Sequence, residues 1–520
     1  MGCKVNLCAS AQNTDFADTP AAELVFLLFL PRYVEVLNMK NNPFLPFWLL
    51  SLSVVFGLTL PILIQEGMFQ DAMLYSSVSH NLSIGYGSFW FPQYSTLNVF
   101  GLPSFHEHPP LAFGIQSLFY RLLGDSMYVE RFYTFLMIVT SAVLINQIWR
   151  ETYRDNPAMK RMGWLAVAMW MIIPICFWSY HHNMQENTMG IFLLGAVLLG
   201  LKAMHTVRYR YLLLALSGFS VFLATMCKGI PGFFPVTLPF CYWLATGKIN
   251  WKDGIRYAAL VALVPVCTYA VLLQFPASRD SLSTYFYQRV LNRIDALPTA
   301  QYQLQILWRL FTELLSPIAL TLLLTGIARM RKAPVDFPER RQTALFFFLI
   351  GLAGSAPLAL TMCQRGWYLV PSLPYFAIAL AGLAAPAVVG PIARLDTKSL
   401  KYRLLLVVSG LALAFVLIYT ALQKGKINRY QDIIPDIYEI GKVVPRFSTL
   451  TVPAEMYDQY DFILQGYLVR YFNISISPYK EYEYYLKEKK RDIPVPEQYK
   501  KVDIPTTKYE LYRREPDSAR

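Results

Sequence analysis

The stretch FHEHPPLAFGIQSLFYRLLG, from Phe105 to Gly124, decides how the chain is threaded. His106, Glu107 and His108 stand against Pro109 and Pro110, and the 14-residue segment LAFGIQSLFYRLLG follows. That segment is too short to cross a bilayer comfortably. Leu111, Ile115, Leu118, Phe119 and Leu122 recur at helical spacing. The prolines suit a helix's first turn, where a missing N–H costs nothing. The segment reads as a helix lying in the membrane interface. The rival reading, a short crossing helix, would reverse the side of every later loop.

Composition sets the frame for that choice. The chain has 520 residues, 55% hydrophobic and only 16% charged, against about 25% charged in soluble proteins. Its apolar residues come in blocks of about 18 or more, the length that spans a bilayer. This is the pattern of a polytopic membrane protein. The net charge of +13 invites a nucleic-acid partner. However, Lys and Arg fall mainly in short loops and the C-terminal tail, as the positive-inside rule produces, so no nucleic acid is expected. None of the seven cysteines forms a C-x-x-C pair; they read as small buried hydrophobes and not as a disulfide or zinc framework. The opening MGCKVNLCASAQNTDF is no signal peptide, and Asn6 breaks the myristoylation pattern. MKNNPFLPFWLL, from Met39, reads as a natural start. Residues 1–43 are an N-terminal extension, of which 1–38 read as an upstream mistranslation or a mobile segment.

Eleven spans are expected, near 44–64, 128–149, 161–180, 187–204, 210–227, 229–247, 256–274, 306–328, 343–362, 367–388 and 404–422. With the start of the first span in the cytoplasm, the basic loops around Arg150 to Arg161, Lys202 to Arg210, Lys248 to Arg256, Arg329 to Arg341 and Arg394 to Arg403 all fall inside. The outer face then holds loops 65–127 and 275–305, turns near His181, Lys228 and Arg365, and a tail from about 423. Pieces of that tail, STLTV, LQGYLVRYF, ISIS and YELYRR, alternate strand-like and helical patterns. The expected architecture is an all-α membrane domain over 44–422, with interfacial helices in its first outer loop. A small α/β domain over 423–520 completes it.

The rare polar residues gather at the outer surface: Asp71, Glu107, His108, Arg131, His181, His182, Glu186, Lys228, Arg289, Arg293 and Arg365. Ionisable groups at membrane depth are costly and usually functional, yet each has a plainer reading. Asp71, in the first turn of a helical DAMLYSSVSHNL, is either a dipole-complementing residue or a general base for an attacking hydroxyl. His106, Glu107 and His108 are loop residues stacked on prolines, metal ligands outside the H-E-x-x-H pattern, or a substrate-orienting acid and a phosphate-contacting imidazole. Lys228, in TMCKGIPGFFP, either snorkels to headgroups or is turned inward by Gly229, Pro231 and Gly232 toward a phosphate. Glu186 caps a span or meets substrate, and Arg365 anchors an interface or grips a lipid phosphate. Tyr75, Tyr368, Arg289 and Arg293 complete the candidates for substrate contact.

In this order the motifs H-E-H-P-P-L, R-F at Arg131, E-N-T-M at Glu186, K-G-x-x-G at Lys228 and Y-L-V-P-S-L-P from Tyr368, after the early acid Asp71, resemble a known family. The chain is similar, over about residues 44–390, to GT-C glycosyltransferases of the branch of protein O-mannosyltransferases and lipid A aminoarabinose transferases. The resemblance implies a polyprenyl-phosphate sugar as donor and transfer with inversion of a hexosyl or pentosyl group. The acceptor would be a lipid or protein on the non-cytoplasmic side, in a bacterial inner membrane with the site facing the periplasm. It implies catalytic roles for Asp71 and Glu107, and phosphate contacts for His108, Arg131, Lys228 and Arg365. Two departures stand out: Ala72 follows Asp71 where many relatives have Asp-Glu, and His108 replaces a lysine. No cofactor is required by this reading, and a divalent metal stays open. Rival readings are a ligase or polymerase using a lipid-diphosphate donor, kept open by Arg279, Arg289 and Arg293, a lipid or solute transporter, and a non-catalytic binding subunit.

Overall fold

The computed structural model describes residues 42–98, 102–291, 298–331, 338–459 and 462–515. Residues 1–38 and Arg293 therefore lie outside the described residues. The first span, α1 (Leu45–Leu63), is started by Asn42, whose side chain accepts the Phe44 N–H at 3.0 Å. Inside it, the Ser53 and Thr59 hydroxyls donate to the carbonyls of Leu49 and Val55, which satisfies them where no water can. On what is here termed the loop face, α2 (Gln70–Ser83) and α3 (Leu111–Leu123) follow.

The interfacial reading of α3 is consistent with its burial. Its polar and aromatic side, Phe113, Gln116, Ser117 and Tyr120, is buried, while Leu118 and Leu122 of the apolar stripe are exposed. At 13 residues it reaches about 20 Å, short of the ~30 Å hydrocarbon core.

The remaining single-helix spans are α4 (Tyr128–Thr152), α5 (Gln185–His205), α6 (Arg210–Lys228), α7 (Trp251–Leu272), α8 (Arg340–Leu360), α9 (Leu373–Ala393) and α10 (Leu400–Ala421). With α1 they make eight helices long and apolar enough to cross among the described residues. A ninth expected span is a pair, Gln305–Glu313 and Leu315–Met330, bent by 42°.

The other two are not the continuous helices expected. Segment 161–180 breaks into Gly163–Met171 and Pro174–Ser179, because Pro174 follows an extended Ile173. It still runs beside α1. Ser51 near the start of α1 donates to Trp164 O, and His181 beyond the segment's end bonds Leu58 O. Segment 229–247 becomes a 3₁₀ stretch, Ile230–Thr237, followed by Leu238–Thr246. Pro231, Pro235 and Pro239 remove the N–H groups an α-helix needs there.

Helix pairs meet through small residues. Ser217 and Ser220 of α6 donate to Ala196 O and Phe192 O of α5, at 2.8 and 2.7 Å, the usual way close helices bond in lipid. α9 is the central span, with 67% of its apolar window buried, and α10 is peripheral, with 6%.

The C-terminal residues form the expected small α/β domain. Its strands are β1 (Thr449–Thr451), β2 (Ser475–Ser477), β3 (Tyr484–Glu488), β4 (Tyr499–Lys501) and β5 (Tyr509–Arg514), in the order β2-β1-β3-β5-β4. β1 is parallel to β2 and β3, and β5 is antiparallel to β3 and β4. The helix α11 (Phe462–Phe472) makes the β1–β2 crossover, as parallel neighbours require, and lies on α2. Ser77 of α2 donates to Gly466 O of α11 at 3.1 Å. The chain leaving α10 pairs with the exit of α1: Glu66 N donates to Lys426 O, and Asn428 N to Glu66 O, each at 2.9 Å.

Candidate active site

On the loop face, α2 presents Asp71 and Tyr75 one turn apart, on one side of the helix. The segment before α3 brings Glu107 and His108. The first turn of α5 carries Glu186, and α6 ends on Lys228. The turn Gly366–Leu369 supplies Tyr368, with Arg365 just before it. A π-helical turn, Phe286–Leu291, supplies Arg289.

Lys228 is turned inward, as the glycines around it suggest. Gly229 ends α6 at φ +80°, and a Cβ there would collide with the Tyr285 hydroxyl, so no other residue fits. Lys228 is 7% exposed, and its ammonium pairs with Glu186 Oε1 at 2.5 Å. It also lies 5.7 Å from the Tyr75 ring centroid and 5.5 Å from that of Tyr368, within cation–π range. Tyr75 shares a 3.1 Å hydrogen bond with His108 Nε2. Arg289 Nη2 stands 3.1 Å from Glu107 Oε1.

Asp71 sits among these charges. Burial pushes its carboxyl up to about 6. Lys228 pulls it back, Glu186 and Glu107 push it further, and Arg365 pulls it down. It accepts no hydrogen bond from another described residue. Glu186 Oε2 is likewise buried with no hydrogen-bond partner, as are both ends of the Gln185 amide. Buried polar groups are ordinarily satisfied, so this cluster has unfilled bonding capacity. A carboxylate titrating near neutrality beside a buried ammonium suits proton abstraction next to a developing anion.

The position of α2 is set by groups the motif reading did not single out. Asn183 donates to Ser76 Oγ and Gln116 Oε1, both at 2.9 Å, and Ser79 donates to Gln116 Oε1 at 3.0 Å. These four polar residues tie α2 to α3 and to the turn before α5. Their only trace in the sequence is polar spacing within apolar stretches. His181 and His182 serve the same floor. Burial holds both imidazoles below their usual range, and His182 Nδ1 accepts the Phe69 N–H at 3.2 Å. Phe69, which caps α2, packs edge-on against Trp178 and Trp367, which stack on each other at 5.5 Å.

Those two tryptophans also line a cleft of about 940 Å³, together with Tyr302, Trp308, Arg309 and Arg365. The Arg365 guanidinium lies over the Trp367 ring at 5.8 Å. Arg309 pairs with Glu313 at 2.6 Å. The cleft therefore offers aromatic walls and two cations, of which Arg365 also acts on Asp71.

Two expectations change. Arg131 does not join the cluster. Its Nε and Nη2 donate to Gln65 O at 3.1 and 2.9 Å, and Nη1 donates to Met127 O at 2.6 Å. It fastens the start of α4 to the exit of α1. His106, Glu107 and His108 do not converge as ligands. His106 Nε2 bonds Ser104 Oγ at 2.6 Å, and the other two face Arg289 and Tyr75. Burial pushes His106 down to about 4. Among the described residues, no three His, Cys, Asp or Glu side chains gather as a metal-ligating group.

Residues 107–272 match the family described as dolichyl-phosphate-mannose-protein mannosyltransferase. The fold, a polytopic helical domain with loop-face helices beside the first span and a small sheet domain, has counterparts among solved structures. In particular, the chain is similar to ArnT from Cupriavidus metallidurans. The structure of ArnT bound to undecaprenyl phosphate shares 15% identity and a TM-score of 0.56, over 95% of this chain and 98% of that one. The apo state of the same protein shares 16% identity and a TM-score of 0.52, over 86% and 85%. No curated protein sequence matches the chain.

Proposed function

We propose that the protein is an inverting glycosyltransferase that moves a sugar from a polyprenyl phosphate to a lipid or protein acceptor. The loop face is then the non-cytoplasmic side, the periplasmic face of a bacterial inner membrane. The observation that carries the reading is Asp71, an open carboxylate poised at about 6 beside the buried Lys228–Glu186 pair.

In the reaction, Asp71 takes the proton of the acceptor hydroxyl. The hydroxyl oxygen bonds to the anomeric carbon from the side opposite the phosphate. The bond between that carbon and the phosphate oxygen breaks, and its electron pair leaves with the phosphate. One displacement gives inversion. The growing phosphate charge is met by Lys228 and Arg365, with Tyr75 and His108 as polar contacts. Glu107, held by Arg289, orients the acceptor. The aromatic cleft is the route by which a lipid-borne substrate reaches Asp71. The similarity to ArnT bound to undecaprenyl phosphate supports a polyprenyl carrier.

The test is mass spectrometry of envelope lipids and glycoproteins from a deletion strain complemented with wild type or with Asp71→Asn. A sugar missing from one molecule only in the variant strain is expected. Identical glycans, with both proteins expressed and the deletion strain impaired, overturn the reading in favour of transport or a binding role.

A further inference from the structure

A second cavity, of about 400 Å³, opens between α1, α4 and α10 and shares no residue with the active-site cluster or its cleft. Its walls are apolar: Leu60, Leu63, Phe132 and Phe135. Its rim, where α4 begins and α10 has just ended, is cationic and aromatic. Lys424 lies 5.5 Å from the Tyr128 ring centroid, and Arg131 lies 6.0 Å from the same ring. Arg131 has Glu130 Oε1 at 3.6 Å and donates to the carbonyls of Gln65 and Met127, so its charge is already met. Lys424 is exposed and has no carboxylate at ion-pair distance among the described residues. Between rim and wall, the Thr420 hydroxyl is shielded from solvent and has no hydrogen-bond partner. An unmet hydroxyl at this depth is costly, because the hydrocarbon offers it nothing. An unpaired ammonium, an unmet hydroxyl and an apolar wall thus follow one another along the direction of the membrane normal. That is the order of phosphate, ester oxygen and acyl chain in a glycerophospholipid.

We propose that this groove retains one anionic glycerophospholipid, its phosphate on Lys424 and its ester region on Thr420. The need for such an occupant follows from the packing of α10. That helix rests mainly on α1, and 6% of its apolar window is buried. Yet it alone leads the chain from the membrane to the C-terminal domain. A lipid seated across α1, α4 and α10 braces that junction.

The purified full chain, in a non-ionic detergent, is titrated with phosphatidylglycerol, phosphatidylcholine or undecaprenyl phosphate. Retained lipid is counted by native mass spectrometry. Preferential retention of phosphatidylglycerol is expected, with one molecule bound. Lys424→Ala lowers that preference about fivefold, the weight of one lysine near an anionic headgroup, and Lys424→Arg restores it. Thr420→Val weakens retention of both glycerolipids alike. Equal retention of phosphatidylglycerol and phosphatidylcholine, or an undiminished preference in Lys424→Ala, overturns the proposal. So does one-for-one displacement of phosphatidylglycerol by undecaprenyl phosphate, which would assign the groove to the sugar carrier. None of these readouts depends on sugar transfer.

Discussion

Two buried charge clusters stand on the loop face, and they are built to opposite ends. Around Arg470, which is fully buried, every nitrogen of the guanidinium is bonded, though Glu130 Oε1 and His80 Nδ1 are not. Its Nη1 bonds Asp125 Oδ1 at 2.9 Å. Its Nη2 reaches Glu130 Oε2 at 2.9 Å and the carbonyls of Asp125 and Ser126 at 3.2 and 3.0 Å. Tyr120 donates to the same Glu130 oxygen, and His80 meets Asp125 at 2.9 Å. This cluster locks α11 of the C-terminal domain onto α3 and α4. Around Lys228 fewer bonds are made: among the described residues the ammonium has one Glu186 oxygen, and Glu186 Oε2 has no partner. A cation bonded on every side by fixed partners holds geometry, and a cation with one partner can still meet a ligand.

Breaking each cluster should therefore fail in a different way. The largest effect is expected from Asp71→Asn: a loss of about 10³-fold in transfer rate, within the range of a general base, with no loss of melting temperature. A matching loss of stability would place Asp71 with the structural cluster. Arg470→Ala should do the reverse. Removing one partner of a buried charge network costs about 3–5 kcal/mol. Limited proteolysis should then release the C-terminal domain, and Arg470→Lys should not rescue it, because a lysine cannot replace the planar fork.

Lys228→Ala comes next. A rise of about 10- to 100-fold in the Kd for the donor is expected, the worth of a charge-assisted hydrogen bond. An unchanged donor affinity would leave the Lys228–Glu186 pair a purely internal contact. The smallest effect, and the sharpest comparison, is with pH. Because the Asp71 carboxyl is raised to about 6, kcat/KM should fall tenfold per unit below that pH. The residual activity of Asp71→Asn should be flat. The stability sign is opposite. The folded state binds this proton more readily than the unfolded chain does, so the burial of Asp71 costs stability fully above about 6. That cost disappears below the ordinary 3.8. A thermal melt against pH reads this directly.

The pattern of apolar blocks and basic loops made the spanning architecture legible, down to the short helix at Leu111–Leu123. It did not reveal that 161–180 and 229–247 are interrupted, since proline in an apolar block leaves hydropathy unchanged. The strands at 449–451, 475–477 and 509–514 were readable from alternation. In the site, rare charges in an apolar chain pointed to Asp71, Glu107, His108, Glu186, Lys228, Arg289 and Arg365, which the fold brings together. Arg131 was misplaced because its acceptors are the backbone carbonyls of Gln65 and Met127, which no side-chain pattern encodes. The bonds of Asn183 reach across 107 and 67 residues, to Ser76 and Gln116, and are invisible for the same reason of distance along the chain.

The contact between α2 and α11 has a consequence for the order of synthesis. Ser77 bonds across to Gly466, and a Cβ on Gly466 would crowd Met73 at 3.3 Å. The helix that carries Asp71 is thus made well before the wall it leans on. A ribosome stalled before residue 462 would have produced every candidate side chain of the site without the support that aims them. The newborn protein would hold an unsupported site until the segment Phe462–Phe472 had been made and had packed on α2.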